Sequence, residues 1–147
     1  MSPTFDHIGL ATPNLERSIA FYRDVMGFEF SSRRRLDDGR EQAVFLIGEG
    51  ILVLFHNPSR DYVEKARHVR SGMHHLAFAL QPKEYDGVIE RCETDGVAIM
   101  RQAINSGARG KGLATYFYDP DGNDIEIKKY AGIPEGFEGF TAEGYHL

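Results

Sequence analysis

The strongest constraint on this chain is that it repeats itself. His7-Ile8-Gly9-Leu10-Ala11 is followed by Pro13, a stretch of helical spacing from Leu15 to Val25, and Gly27-Phe28-Glu29-Phe30. His75-Leu76-Ala77-Phe78-Ala79-Leu80 is followed by Pro82, a helical stretch from Glu84 to Glu93, and Gly96-Val97-Ala98-Ile99. Pro comes six or seven residues after each histidine and Gly 20 or 21 after, so one inserted residue aligns the copies at a period of 68 residues. That period is longer than a solenoid repeat and suits a duplicated module inside a chain of 147 residues.

Each copy opens with a period-2 strand, in which Ile8 and Leu10, or Leu76, Phe78 and Leu80, take one face. Leu15, Ile19, Tyr22 and Met26 recur at helical spacing behind a cap supplied by Thr12 or Asn14. Gly27 and Gly96 stand where helices stop in a left-handed turn. Further strands are expected at Gln42 to Ile47 and Ile51 to Phe55, and in the second copy at Ala114 to Tyr118 and Asp124 to Lys129. The order is βαβββ twice, an α+β fold in one domain over 1–147. The first module spans 5–57, the second 72–130, and a C-terminal tail 131–147. Residues 57–71 read as a polar linker with a short helix at Tyr62 to Ala66, and Asn105 to Gly112 as a mobile loop beside the site. The tail has no periodicity; disorder and a wrap over a neighbouring subunit are the alternatives, and its aromatic residues favour partial order.

A net charge of −5 and a pI near 5.7 give no electrostatic reason to expect nucleic acid or an anionic membrane as partner. The single cysteine, Cys92, excludes an internal disulfide and a thiolate cluster, and its helical setting makes it a packing residue. No basic segment followed by an apolar run opens the chain, and no apolar run reaches bilayer length, so a cytoplasmic location is expected.

Ligand-type side chains occupy the strand faces that the apolar residues leave. His7 shares its face with Gly9 and Ala11, and His75 with Ala77 and Ala79. Glu126 lies opposite Ile125 and Ile127. A lone strand histidine is usually a satisfied core residue, and a lone glutamate between isoleucines usually faces water. Recurrence of the histidine at one point of two repeats, with a carboxylate late in the second, favours a metal set of His7, His75 and Glu126. Two imidazoles and one carboxylate cap one face of an octahedral ion and leave about three positions open. Fe2+ or Mn2+ ranks first for such a site, with Zn2+, Ni2+ or Co2+ as alternatives.

The chain resembles the vicinal oxygen chelate superfamily, which includes glyoxalase I, extradiol dioxygenases, methylmalonyl-CoA epimerase, fosfomycin-resistance enzymes and bleomycin-binding proteins. The resemblance covers roughly residues 5–130. It rests on Asp6-His7-Ile8-Gly9-Leu10, on Ser18 to Phe28, on His75-Leu76-Ala77-Phe78 and on Asp119-Pro120-Asp121-Gly122-Asn123-Asp124-Ile125-Glu126. It implies that the modules pair their sheets into a cupped, half-open mixed β barrel around the metal, with helices outside. It also implies a homodimer and a small substrate whose two adjacent oxygens are chelated.

Among the family's reactions, glyoxalase I is similar in fold but draws a fourth carboxylate from the strand that here reads Ile51-Leu52-Val53-Leu54-Phe55, with Val53 at the matching place. The epimerases resemble this chain at Gly72-Met73-His74-His75 and Gly107 to Lys111, and also lack their usual base here. Extradiol dioxygenases are similar in placing a tyrosine ten residues before the glutamate ligand, which is Tyr116 here. Tyr116 is therefore a candidate catalytic phenol, with a packed strand aromatic as the competing reading. His56 is a candidate acid/base, with a surface histidine at a turn as the competing reading. Fosfomycin-opening enzymes resemble the Tyr116-Phe117-Tyr118-Asp119 run, with Glu41 or Lys111 then acting on the substrate. Dioxygenase chemistry ranks first, a glyoxalase-type lyase or an epimerase second and a resistance enzyme third. A non-catalytic drug-binding protein is the contrasting class, and its members lack the metal residues that this chain carries.

Overall fold

A computed structural model describes residues 2–58 and 73–146. The chain divides into two units, 1–65 and 66–147, and each is a βαβββ module as the repeat requires. The linker helix expected at Tyr62 to Ala66 lies outside the described residues.

In the first unit β1 (His7–Thr12) leads into α1 (Leu15–Ala20), which widens into a π-helical turn at Phe21–Val25. Asn14 caps it, its Oδ1 accepting from the Arg17 amide at 3.0 Å, while the Thr12 and Ser18 hydroxyls bond each other at 2.7 Å under the first turn. Gly27 stops the helix with φ of 71°. Strands β2 (Glu29–Arg35), β3 (Glu41–Ile47) and β4 (Gly50–His56) complete a mixed sheet of order β1-β4-β3-β2, in which β1 and β4 run parallel. Leu10 and Thr12 join Leu52 and Leu54 on the face buried with Leu15, Ile19 and Tyr22. The opposite face carries His7 and Gly9, paired with Ile51 and Val53.

In the second unit β5 (Leu76–Ala79) leads into α2 (Pro82–Thr94), then β6 (Arg101–Gly107), β7 (Gly110–Tyr118), β8 (Asp124–Lys129) and a short β9 (Phe140–Thr141). A capping box starts α2: the Glu84 carboxylate accepts from the Gln81 amide at 3.0 Å, and Pro82 occupies the first turn, where no intrahelical donor is needed. Gly96, with φ of 70°, follows its end. The sheet order is β5-β8-β7-β6-β9, again with the first and last strands of the module parallel. Phe78, Thr115, Phe117, Ile125 and Ile127 are buried on one face, and Tyr85, Val88 and Cys92 of α2 are buried residues of the same core. Burial pushes the Cys92 thiol up to about 11, which fits its reading as an inert packing residue.

One expectation is corrected. The stretch Asn105 to Gly112 is not an irregular loop: β6 and β7 pair continuously from Arg101↔Tyr116 to Gly107↔Gly110. Its glycines have structural work there. A Cβ on Gly112 would meet the Lys129 carbonyl oxygen at 2.6 Å, and Gly110 turns the hairpin with φ of 93°. Gly112→Ala is expected to cost about 1–3 kcal/mol, read as a lowered urea midpoint; an unchanged midpoint would mean that the hairpin can yield. The tail is ordered in the described residues, in keeping with the partial order that its aromatics favour, and it folds onto its own unit. β9 pairs with β6, and Tyr145 is buried against Tyr116 and Tyr118, with its hydroxyl donating to Asp124 Oδ1 at 2.7 Å.

Candidate metal centre

Strand β8 is central in its sheet, between β5 and β7, and its sequence Asp-Ile-Glu-Ile-Lys-Lys sends alternate side chains to opposite faces. Ile125 and Ile127 take the core face. Lys129 shares that face and reaches Asp86 of α2 at 2.8 Å, passing over the Tyr85 ring. Glu126 and Lys128 take the other face, and both are buried, at 5% and 4% exposure. Burying a carboxylate and an ammonium side by side is costly unless each finds partners. Both do.

Glu126 Oε2 lies 3.0 Å from His75 Nε2, and its Oε1 lies 3.6 Å from Lys128 Nζ. Register places Glu126 between Ala77 on β5 and Tyr116 on β7. The Tyr116 phenol, paired in register with Glu126, accepts from Asn105 Nδ2 at 2.7 Å. Burial, reinforced by the Glu126 charge, pushes that phenol above its ordinary value, so it stays protonated through neutral pH and remains a donor. Arg101 stands over its ring at 5.7 Å, and the His75 ring meets it edge-on at 6.0 Å. The Lys128 ammonium donates to the Asn105 backbone oxygen at 2.9 Å and also to Asn105 Oδ1. Glu126, Lys128, Asn105 and Tyr116 thus form a chain of polar contacts, with His75 attached to it through Glu126.

The structure therefore brings three of the sequence-derived residues together in the second unit: His75, Glu126 and Tyr116. His74 is exposed, and its Nδ1 meets His75 Nδ1 at 2.8 Å, which leaves His75 Nε2 for the Glu126 side. His7 belongs to the first unit, where its side chain is about half exposed and its Nδ1 lies 2.5 Å from Asp6 Oδ2. His56 pairs in register with Thr12, on the face of Leu52 and Leu54 rather than that of His7 and Val53. Among the described residues no three His, Cys, Asp or Glu side chains converge to hold an ion. The His75–Glu126 pair is the nucleus of a candidate site.

That nucleus suits a divalent cation. A nitrogen and an oxygen donor 3.0 Å apart have the separation of adjacent corners of an octahedron whose bonds are roughly 2.1 Å long. Ala77 and Ala79, exposed beside His75 and Glu126, leave open space on that face. Two residues escaped the sequence reading. Lys128 lies two positions after Glu126, so strand alternation alone sends it to the same face. Asn105 was hidden in the stretch taken for a loop.

The sequence profile of the glyoxalase/bleomycin resistance protein/dioxygenase superfamily matches residues 4–127. A glutathione transferase FosA from Serratia marcescens is 27% identical over 86% of this chain and 81% of its own length. A manganese-dependent 2,3-dihydroxybiphenyl 1,2-dioxygenase from Geobacillus genomosp. 3 is 31% identical over 92% of this chain, which spans only 39% of that protein. The solved structure of an integron cassette protein from the mobile metagenome of V. cholerae is 29% identical, with a TM-score of 0.66 over 89% of this chain and 98% of that one. No helix among the described residues is long and apolar enough to cross a membrane. The repeated βαβββ units and the matching profile agree: the chain belongs to the glyoxalase/bleomycin resistance protein/dioxygenase superfamily.

Proposed function

We propose that this protein is a divalent-metal-dependent enzyme, working as a homodimer, that cleaves the ring of a small vicinal diol in the manner of an extradiol dioxygenase. The observation that carries the reading is the convergence of His75, Glu126 and Tyr116 on one sheet face. His75 and Glu126 would hold the ion, with His7, the equivalent histidine of the sequence repeat, as the proposed third ligand. Mn2+ or Fe2+ suits this set, because neutral imidazoles and one carboxylate leave net charge near +1 and about three positions open. When bound, such an ion stabilises the negative charge that develops on two adjacent substrate oxygens.

The chain's own residues supply the rest. Tyr116 donates its proton toward a substrate oxygen, and Asn105 fixes the phenol by occupying its acceptor side at 2.7 Å. His74 orients the His75 ring through the Nδ1 contact. Ala77 and Ala79 keep the face clear for a planar ring. The relative that acts on 2,3-dihydroxybiphenyl, by its name a vicinal diol, supports the substrate class.

Oxygen uptake tests the reaction. Protein loaded with Mn2+ or Fe2+ and given simple catechols is expected to consume one O2 per ring opened, with both oxygen atoms entering the product. Turnover of an acyl-CoA thioester or a hemithioacetal under strict anaerobiosis, with no oxygen uptake from catechols, would replace ring cleavage by a lyase or epimerase reaction.

A further inference from the structure

Lys128 is the feature that the proposed chemistry leaves unexplained. Its neighbours in register are small, Ala79 on β5 and Ala114 on β7, and the hairpin beside it is shaped around its stem. A Cβ on Gly107 would stand 2.9 Å from Lys128 Cε, and one on Gly112 3.2 Å from the same atom. The ammonium is held rather than free: it donates to Asn105 and lies 3.6 Å from Glu126 Oε1. A sheet that needed only packing here would use an apolar residue, because a buried ammonium is costly to keep.

We propose that Lys128 is a specificity-determining residue that sets the charge of the candidate centre and fits it for a doubly charged, chelating oxyanion. The inference rests on the metal reading above. A divalent ion held by one carboxylate presents a charge near +1 whatever neutral ligands complete it, and Lys128 raises the local total to about +2. Its charge acts through a buried environment, where Coulomb interactions are screened far less than in water. Arg101, over the Tyr116 ring on the same side, adds to the field. The ligand matched to this site carries two adjacent oxygens and a second negative charge, as a carboxylated diol or a 2-oxo acid enolate does.

Oxalate and glycolate separate charge from chelation, since both offer adjacent oxygens but only oxalate is a dianion. Their affinities are to be read from the electron paramagnetic resonance of Mn2+ held by excess wild-type, K128M and K128R protein. Mn2+ affinity is measured separately by equilibrium dialysis. Wild type is expected to prefer oxalate. K128M is expected to lose oxalate affinity by roughly 10–100-fold, the range of a contact just outside the ligand shell, and glycolate affinity by only about the square root of that factor, since a monoanion feels half the Coulomb energy. It should bind Mn2+ no more weakly than wild type, because a neighbouring positive charge has gone. K128R is expected to recover most of the oxalate affinity. Should K128M not fold, K128Q carries the same comparison. Unchanged oxalate affinity in the neutral variants would overturn the inference and leave the metal site standing. Parallel loss of Mn2+ and both anions in K128M and K128R would overturn it in favour of a purely structural lysine. Wild-type protein that binds no Mn2+ would overturn the metal reading, and this inference with it.

Discussion

Glu126→Gln and His75→Ala protein are each expected to bind Mn2+ at least about 100-fold more weakly than wild type, since loss of a ligand should exceed the 10–100-fold effect of losing a contact behind one. Turnover should fall with occupancy. Glutamine is the better replacement at 126, because alanine would also strand the Lys128 ammonium that now lies 3.6 Å from the carboxylate. Leaving one member of a buried ion pair alone costs roughly 3–5 kcal/mol, so Glu126→Ala confounds folding with binding. His74→Ala is the control. Its ring touches His75 Nδ1 and faces solvent, so its loss should weaken Mn2+ by no more than about tenfold. Equilibrium dialysis against Mn2+ reads all three. If His74→Ala abolished binding while His75→Ala retained it, the two histidines would have to exchange roles.

Tyr116→Phe should have the next largest effect, and on a different quantity. The ring is already packed against Tyr145, His75 and Arg101, and phenylalanine keeps that packing. What disappears is one hydroxyl, held by Asn105 on the face that carries Glu126. Turnover is expected to drop roughly 100-fold, the scale of one donor aimed at developing charge, with KM and Mn2+ affinity close to wild type. A rise in KM at constant turnover would make Tyr116 a binding group only.

Much of this was legible in the sequence because two periodicities coincided. The 68-residue repeat placed His7 and His75 at equivalent points, and strand alternation put Glu126 on the face away from Ile125 and Ile127. Helix ends were legible for the same reason: Gly27 and Gly96 do adopt positive φ. The β6–β7 hairpin was not, since Asn, Ser, Gly and Arg offer no apolar alternation. Its strand character comes from backbone pairing and from side chains of β8 and Tyr130 that fill the space above Gly107 and Gly112. Lys128 and Lys129 close the strand expected over Asp124 to Lys129, and lysines at a strand end carry no sign of burial. Alternation instead sends one to Glu126 and the other to Asp86, and both are buried. The tail's attachment depends on contacts distant in sequence, Tyr145 with Asp124 and Tyr116, which a local pattern cannot carry.

The parallel pairing of each module's first strand with its last has a consequence for how the chain is made. Among the described residues β1 has one hydrogen-bonded neighbour, β4, and β5 has β8, so the strand that carries His7 and the strand that follows His75 are sheet edges. A ribosome delivers β1 well before Gly50 starts β4, and at 5–20 residues per second that interval lasts about 2–8 s. During it His7-Ile8-Gly9-Leu10 is extended chain with no sheet to join. The module can close only once its final strand emerges, a non-local step of the kind that slows folding. A nascent chain stalled before β4 should therefore remain protease-sensitive across β1, and release of those few further residues should protect the whole module at once.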